Sequence, residues 1–232
     1  MIKGIKIATI IYCFGLFQTM LHAQNLKEDM FKVAEKYQAY SFKMNIEMKI
    51  NHWKSDEPSK VEKGIVKKQG DNYFSDFGDQ TTIKNKRYSL MLLKQEKYIQ
   101  YLDLTQLAKN DSSGYQPDYM EILKADTTNY NRNAKLISAD DKGKEYEVKV
   151  ADGPIKKMRL KISNNYVLQQ ITYFYEKTEE SPVKEVIITY NNVVFNPKFV
   201  SDEFSEKKYF RIVNGKAILT STYKDYTILK GN

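Results

Sequence analysis

The stretch SFKMNIEMKINHW, Ser41 to Trp53, decides how this chain is read. Every even position from Phe42 to Ile50 is apolar: Phe42, Met44, Ile46, Met48 and Ile50. Every odd position from Lys43 to Asn51 is polar. Successive side chains of a strand point to opposite faces, so this alternation specifies a β-strand with one apolar and one wetted face. What the apolar face touches, a packed core or something carried, is left open by the pattern.

Upstream, the period is different. Asn25 with Glu28 has the spacing of a capping box that opens a helix. Leu26, Met30, Val33, Ala34 and Tyr37 then recur on one stripe at helical spacing, predicting a helix to about Tyr40. Before it, MIKGIKIATIIYCFGLFQTMLHAQ has Lys3 and Lys6, an apolar run from Ile7 to Phe17, and Ala23 at a cleavage point before Gln24. These are the three parts of a secretory signal peptide, and the run is too short to span a bilayer. The expectation is a signal peptide over 1–23, export to the periplasm, and a mature chain over 24–232. Cys13 falls inside the apolar run, so the mature chain has no cysteine for a disulfide or a nucleophile.

Downstream, period 2 persists. Strand-like runs occupy Val61 to Lys68, Asn72 to Phe77, Thr81 to Leu93 and Lys97 to Leu102, with turn residues at Gln69-Gly70-Asp71 and Gly78-Asp79. The pattern breaks over about 103–133, where NDSSGYQPD is turn-rich and YMEILKA suits a short helix. It resumes with Tyr146, Val148 and Val150, then Met158, Leu160 and Ile162, then Val167 to Tyr175 and Val183 to Tyr190. Asn214-Gly215 between two apolar runs predicts a hairpin in a C-terminal segment of about 205–232. The sum is one helix, about ten short antiparallel strands and one helical interruption.

The chain carries +8 at pH 7, and the two lysines of the signal peptide reduce that to +6 after cleavage. Lysine supplies most of it, with arginine only at Arg87, Arg132, Arg159 and Arg211. Nucleic-acid readers favour arginine forks, so no nucleic-acid partner is expected. Lys67-Lys68 and Lys156-Lys157 read as solvated faces, or as weak attraction to an anionic surface.

Chemistry-bearing residues are sparse. His52 is the one histidine outside the signal peptide and continues the even face of the opening strand. A metal site around it would need carboxylates alone beside it. No GxSxG elbow and no phosphate-cradling glycine loop occurs. Asp140-Asp141, Glu179-Glu180 and Asp202-Glu203 lie in turn-like contexts. Neither a catalytic residue, nor a metal, nor a cofactor is expected, and the protein reads as a non-enzyme. Conspicuous instead are 18 tyrosines and a set of methionines at Met30, Met44, Met48, Met91, Met120 and Met158. Methionine's flexible thioether suits irregular or changing partners. YSLMLL (88–93) and VIITY (186–190) are nearly continuous apolar runs, fitting either a β core or a wall facing a ligand.

The order of these elements, with GIVKKQGDNYF (64–74) and YNNVVFNPKFVSDEF (190–204), resembles the LolA/LolB-like family of periplasmic lipoprotein carriers over roughly residues 26–210. The first motif looks like that family's glycine-plus-aromatic strand pair, the second like its closing strand with Asn-Pro and a final Phe. The resemblance implies a mainly β (α+β) fold. It would be a single strongly curved antiparallel sheet forming an unclosed half-barrel, with the N-terminal helix and a short helical lid. It implies a carrier whose apolar hollow shields the acyl chains of lipoproteins or another lipid, working with a membrane-bound donor or acceptor protein. Phe42, Met44, Ile46, Met48, Met91, Leu93, Met158, Leu160, Tyr173 and Ile188 become candidates to line the hollow, and Tyr119, Ile122 and Leu123 candidates for the lid. Such carriers latch the lid with an arginine, for which Arg87 is the candidate. The alternative on the same fold is an interaction or sensor subunit of a cell-envelope complex.

Overall fold

Helix α1, Asn25–Tyr37, ends where the helical stripe ends, and β1, Ser41–His52, begins where the alternation begins. This computed structural model describes residues 25–54, 56–106, 133–151, 153–178, 181–200 and 202–231. The expected signal peptide over 1–23 and most of the expected lid segment lie outside them. Downstream of β1 come β2 (Lys60–Gln69), β3 (Asn72–Phe77), β4 (Gln80–Lys84), β5 (Tyr88–Leu93) and β6 (Tyr98–Asp103). Then follow β7 (Ala134–Ala139), β8 (Lys144–Lys149), β9 (Ile155–Ile162), β10 (Leu168–Tyr175) and β11 (Val183–Phe195). The last strands are β12 (Phe210–Val213), β13 (Lys216–Leu219) and β14 (Thr227–Lys230).

Among the described residues, twelve strands form one sheet in the order β14-β6-β5-β4-β3-β2-β1-β11-β10-β9-β8-β7, and β12-β13 is a separate hairpin. The sheet is not closed. The mainly β class, the open sheet and the N-terminal helix expected from sequence therefore hold. One correction concerns strand direction: β14 adds to β6 in parallel, with Thr227 beside Tyr98 and Lys230 beside Tyr101. The sheet is mixed, because the tail returns to the edge by a long connection and not by a tight turn.

Two further differences are local. The run from Thr81 to Leu93 is two strands, because the Asn85 side chain accepts from the N–H groups of Arg87 (2.9 Å) and Tyr88 (2.8 Å). That is the local side-chain competition by which asparagine turns a chain. Strand β7 was not expected; it pairs antiparallel with β8, with a register shift between Leu136 and Ser138. The turns that were expected are confirmed by backbone geometry: Gly70 and Gly78 have φ of 56°, and Asn214 and Gly215 have φ of 49° and 76°.

Close contacts divide the chain into two units. One takes in the described residues of Met1–Gln38, Ile50–Ser59 and Pro117–Ile188, the other those of Ala39–Lys49, Lys60–Gln116 and Thr189–Asn232. In the first unit, the predicted helical stripe (Leu26, Met30, Val33, Ala34, Tyr37) is buried throughout. Tyr146, Leu160 and Ile171 are register partners across β8, β9 and β10 and are buried on one face. The helix is tied to that face by Asp29, whose carboxylate accepts from the Tyr146 hydroxyl (2.6 Å) and from the Lys144 ammonium (2.8 Å). The opposite face of the same strands is wet, with Glu147 accepting from Lys157 (2.8 Å) and Arg159 (3.0 Å).

In the second unit the core lies on one face of β4–β6 and is closed by the chain's own tail. Ile83, Tyr88, Leu90, Leu92, Ile99 and Tyr101 pack with Tyr209 and Phe210. Phe210 is 0% exposed and meets the Tyr101 ring at 4.7 Å and the Tyr88 ring at 5.6 Å between centroids. Burial pushes the Tyr209 hydroxyl up to about 12.

Candidate functional site

The site expected from sequence begins on β1. Phe42 is buried, whereas Met44, Ile46 and Met48 are only half-buried. Two contacts fix which way these even positions face. The Lys68 ammonium lies over the Phe42 ring at 5.9 Å. Glu47, an odd position, pairs instead with Lys63 at 3.1 Å. The even residues of β1 therefore share a face with the even residues of β2, among them Gly64, Val66 and Lys68.

Strand registers carry that face across the second unit. Val66 pairs with Ser75, Ser75 with Thr82, and Thr82 with Met91. Phe77 pairs with Gln80 and Gln80 with Leu93. Met91 and Leu93 are thus on the same face as Met44, Ile46 and Met48, four strand spacings away, or about 19 Å. All five are partly exposed. The other side of β5, Tyr88, Leu90 and Leu92, is the face that the tail seals. Of the two apolar faces of YSLMLL, the tail covers one and leaves Met91 and Leu93 on the other.

The remaining candidates belong to the first unit. Tyr173 pairs with Met158, and Leu160 follows Met158 on the same face of β9. Met158 and Leu160 are buried on the face that α1 reaches through Asp29 and Tyr146, while Tyr173 is half-buried. Ile188 is half-buried in β11, the neighbour of β10. Arg87 stands in the β4–β5 turn with its side chain 60% exposed, 3.5 Å from Asp103 and stacked on Tyr88 at 5.0 Å. Asp103 closes β6 just before the segment expected as a lid, and Leu104 donates its N–H to the Arg87 carbonyl at 2.8 Å. Tyr119, Ile122 and Leu123 lie outside the described residues.

The residue that pattern reading missed is Asp29. It sits within the apolar stripe of α1 and is 2% exposed. Period places position 29 on the buried side, but an acid is expected to face water, and only the arrival of Lys144 and Tyr146 from β8 makes its burial tolerable. His52 ends β1 as a half-buried residue, with Nδ1 3.7 Å from a Glu57 carboxylate oxygen. Among the described residues there is no group of three or more histidine, cysteine, aspartate or glutamate side chains suited to a metal. Nor is any helix among them long and apolar enough to cross a membrane.

No family model matches the chain, and no curated protein does. Among solved structures it is similar to an uncharacterized conserved protein from Thermus thermophilus, with 8% identity over 88% of this chain and 98% of that one, TM-score 0.46. A LolA superfamily protein from Nitrosomonas europaea is similar at 11% identity over 78% and 97%, TM-score 0.33. The MucA/MucB complex from Pseudomonas aeruginosa contains a chain similar at 8% identity over 84% and 62%, TM-score 0.44. With every score below 0.5, none of these likenesses bears on what the chain does.

Proposed function

We propose that this protein is an exported, periplasmic, non-enzymatic carrier that shields lipoprotein acyl chains or another lipid against the face bearing Met44, Ile46, Met48, Met91 and Leu93. One observation carries the reading: the tail seals the Leu90 and Leu92 side of the sheet, whereas the methionine side stays half-exposed. An acyl chain laid on such a face needs no polar contact, because each methylene removed from water contributes about 0.8 kcal/mol. Thioethers adapt to a flexible chain better than branched side chains do. Handing the cargo on would require a membrane-bound donor or acceptor protein.

The test is native mass spectrometry and lipid extraction of the purified protein, joined to two substitutions. Met44→Asp and Met48→Asp place a charge where the acyl chain would lie, and the fold survives if the face is open to water. Binding of a fluorescent fatty acid is expected to fall in both and to be kept in Lys49→Gln, an exposed position of the same strand. If the even face is close-packed core, either aspartate unfolds the unit at a cost of about 3 kcal/mol or more, and the carrier reading is refuted.

The second reading, an interaction or sensor subunit of an envelope complex, is favoured by β7, the last strand of the sheet among the described residues. Ile137 is exposed there, at the irregular point of the ladder. A protein that copurifies with no lipid and loses a protein partner on Ile137→Lys would support it.

A further inference from the structure

The second unit has a concavity of about 630 Å³, whose lining includes Ile65 and Asp76 from the face that carries the tail. Its lining runs across four neighbouring strands in the order β11, β1, β2, β3. Three strand spacings make that row about 14 Å long, the span of roughly four residues of extended peptide.

The charges in it cancel. Glu47 pairs with Lys63 at 3.1 Å, and Asp76 with Lys94 at 2.6 Å. The second pair is held in place, since Lys94 also donates to the Gly78 carbonyl (2.9 Å) and Thr81 to Asp76 (2.9 Å). An ionic ligand would have to break one of these pairs. Neutral hydrogen-bonding capacity, by contrast, is free. Asn45, Asn191 and Asn192 border the concavity, and no side-chain hydrogen bond engages them among the described residues.

Two of these asparagines are consecutive in β11. Asn192 has φ of 52° inside β11, a left-handed conformation that asparagine tolerates better than most residues. Asn191 and Asn192 both line the hollow, as do the consecutive residues Asn45–Glu47 and Lys63–Ile65.

We infer that this trough binds an extended, uncharged peptide segment of a partner protein, read through its backbone. Each carboxamide offers an N–H donor beside a C=O acceptor, the complement of a peptide group's C=O and N–H. Peptide is favoured over a saccharide because no aromatic ring, the usual platform for a sugar face, is found among the described lining residues. The site shares Ile46 with the methionine row, whereas Met44, Met48, Met91 and Leu93 do not line it.

The test is a titration of the full chain, ¹⁵N-labelled and ¹³C-labelled at the methionine methyls, with acetyl-tetraalanine amide, followed by NMR. Saturable shifts are expected at Asn45, Glu47, Lys63, Ile65, Asn191 and Asn192, with the methyl signals of Met44, Met48 and Met91 unmoved. The double variant Asn45→Ala/Asn191→Ala keeps the dispersed spectrum of the parent, since neither side chain has a hydrogen-bond partner to lose among the described residues. Its affinity is expected to drop by about tenfold or more. No saturable shift up to about 10 mM peptide overturns the proposal. So does a response to cellobiose in place of the peptide, or unchanged affinity in the folded double variant.

Discussion

Replacing Asp29 by alanine isolates the contact that seats α1 on its strands. The acid is 2% exposed, its phenol partner Tyr146 is 1% exposed, and the Lys144 side chain retains 31% of its exposure. Loss of the carboxylate leaves the Tyr146 hydroxyl buried without its acceptor, which costs about 1–3 kcal/mol. Lys144 is exposed enough to return to water, so its share is smaller, about 0.5–1 kcal/mol. The sum, about 1.5–4 kcal/mol, is centred below the roughly 3–5 kcal/mol for breaking a fully enclosed pair. Asp29→Asn keeps an acceptor for Tyr146 and is expected to cost less, about 1–2 kcal/mol. Tyr146→Phe removes the orphan in advance, so in that background Asp29→Ala is expected to be milder by about 1 kcal/mol or more. Urea unfolding followed by the fluorescence of Trp53, the chain's one tryptophan and part of the same unit, reads each corner of the cycle. An Asp29→Ala variant within about 0.5 kcal/mol of the parent, or strict additivity with Tyr146→Phe, refutes the anchoring role.

Three further outcomes follow from the same kind of reasoning. Phe210→Ala is expected to destabilise the second unit by about 3–5 kcal/mol and to expose the tail to limited proteolysis, because the ring is wholly buried between Tyr88 and Tyr101. Gly64→Ala is expected to cost at least about 1–3 kcal/mol in a denaturant melt. Its Cβ would sit 2.4 Å from the Asp76 carbonyl oxygen and 2.6 Å from the Phe77 ring, and the backbone oxygen cannot step aside. Glu203 has its carboxyl held below the usual 4.5, first by the hydrogen bond from Lys67. A depressed folded value means that the pair stabilises fully above the unfolded value and is lost as pH falls through the lower, folded one. Glu203→Gln is therefore expected to flatten the acid limb of the stability–pH curve below about pH 5 while changing little of its shape above about pH 6; an unchanged acid limb would sink the assignment.

Local pattern by itself determined the elements. The switch of period at Tyr40 separates α1 from β1, the five-residue stripe of α1 is the buried stripe, and Gly70, Gly78 and Asn214-Gly215 turn the chain where their conformational freedom is needed. These are near-neighbour effects, written in side-chain direction and backbone sterics. In GIVKKQGDNYF the aromatics Tyr73 and Phe74 stand opposite Lys68 and Lys67, and Gly64 meets Phe77, three residues beyond the motif. What no local pattern could decide was which apolar face of β5 receives the tail, or that β14 would add in parallel at the edge. YSLMLL is apolar on both sides, so its pattern does not distinguish Leu90 from Met91; the difference is made by Tyr209 and Phe210, more than a hundred residues later. Asp29 is the same case in polar form: an acid in an apolar stripe is a defect until Lys144 and Tyr146 arrive from a distant strand. Alternation assigns faces, and only tertiary contact assigns what covers them.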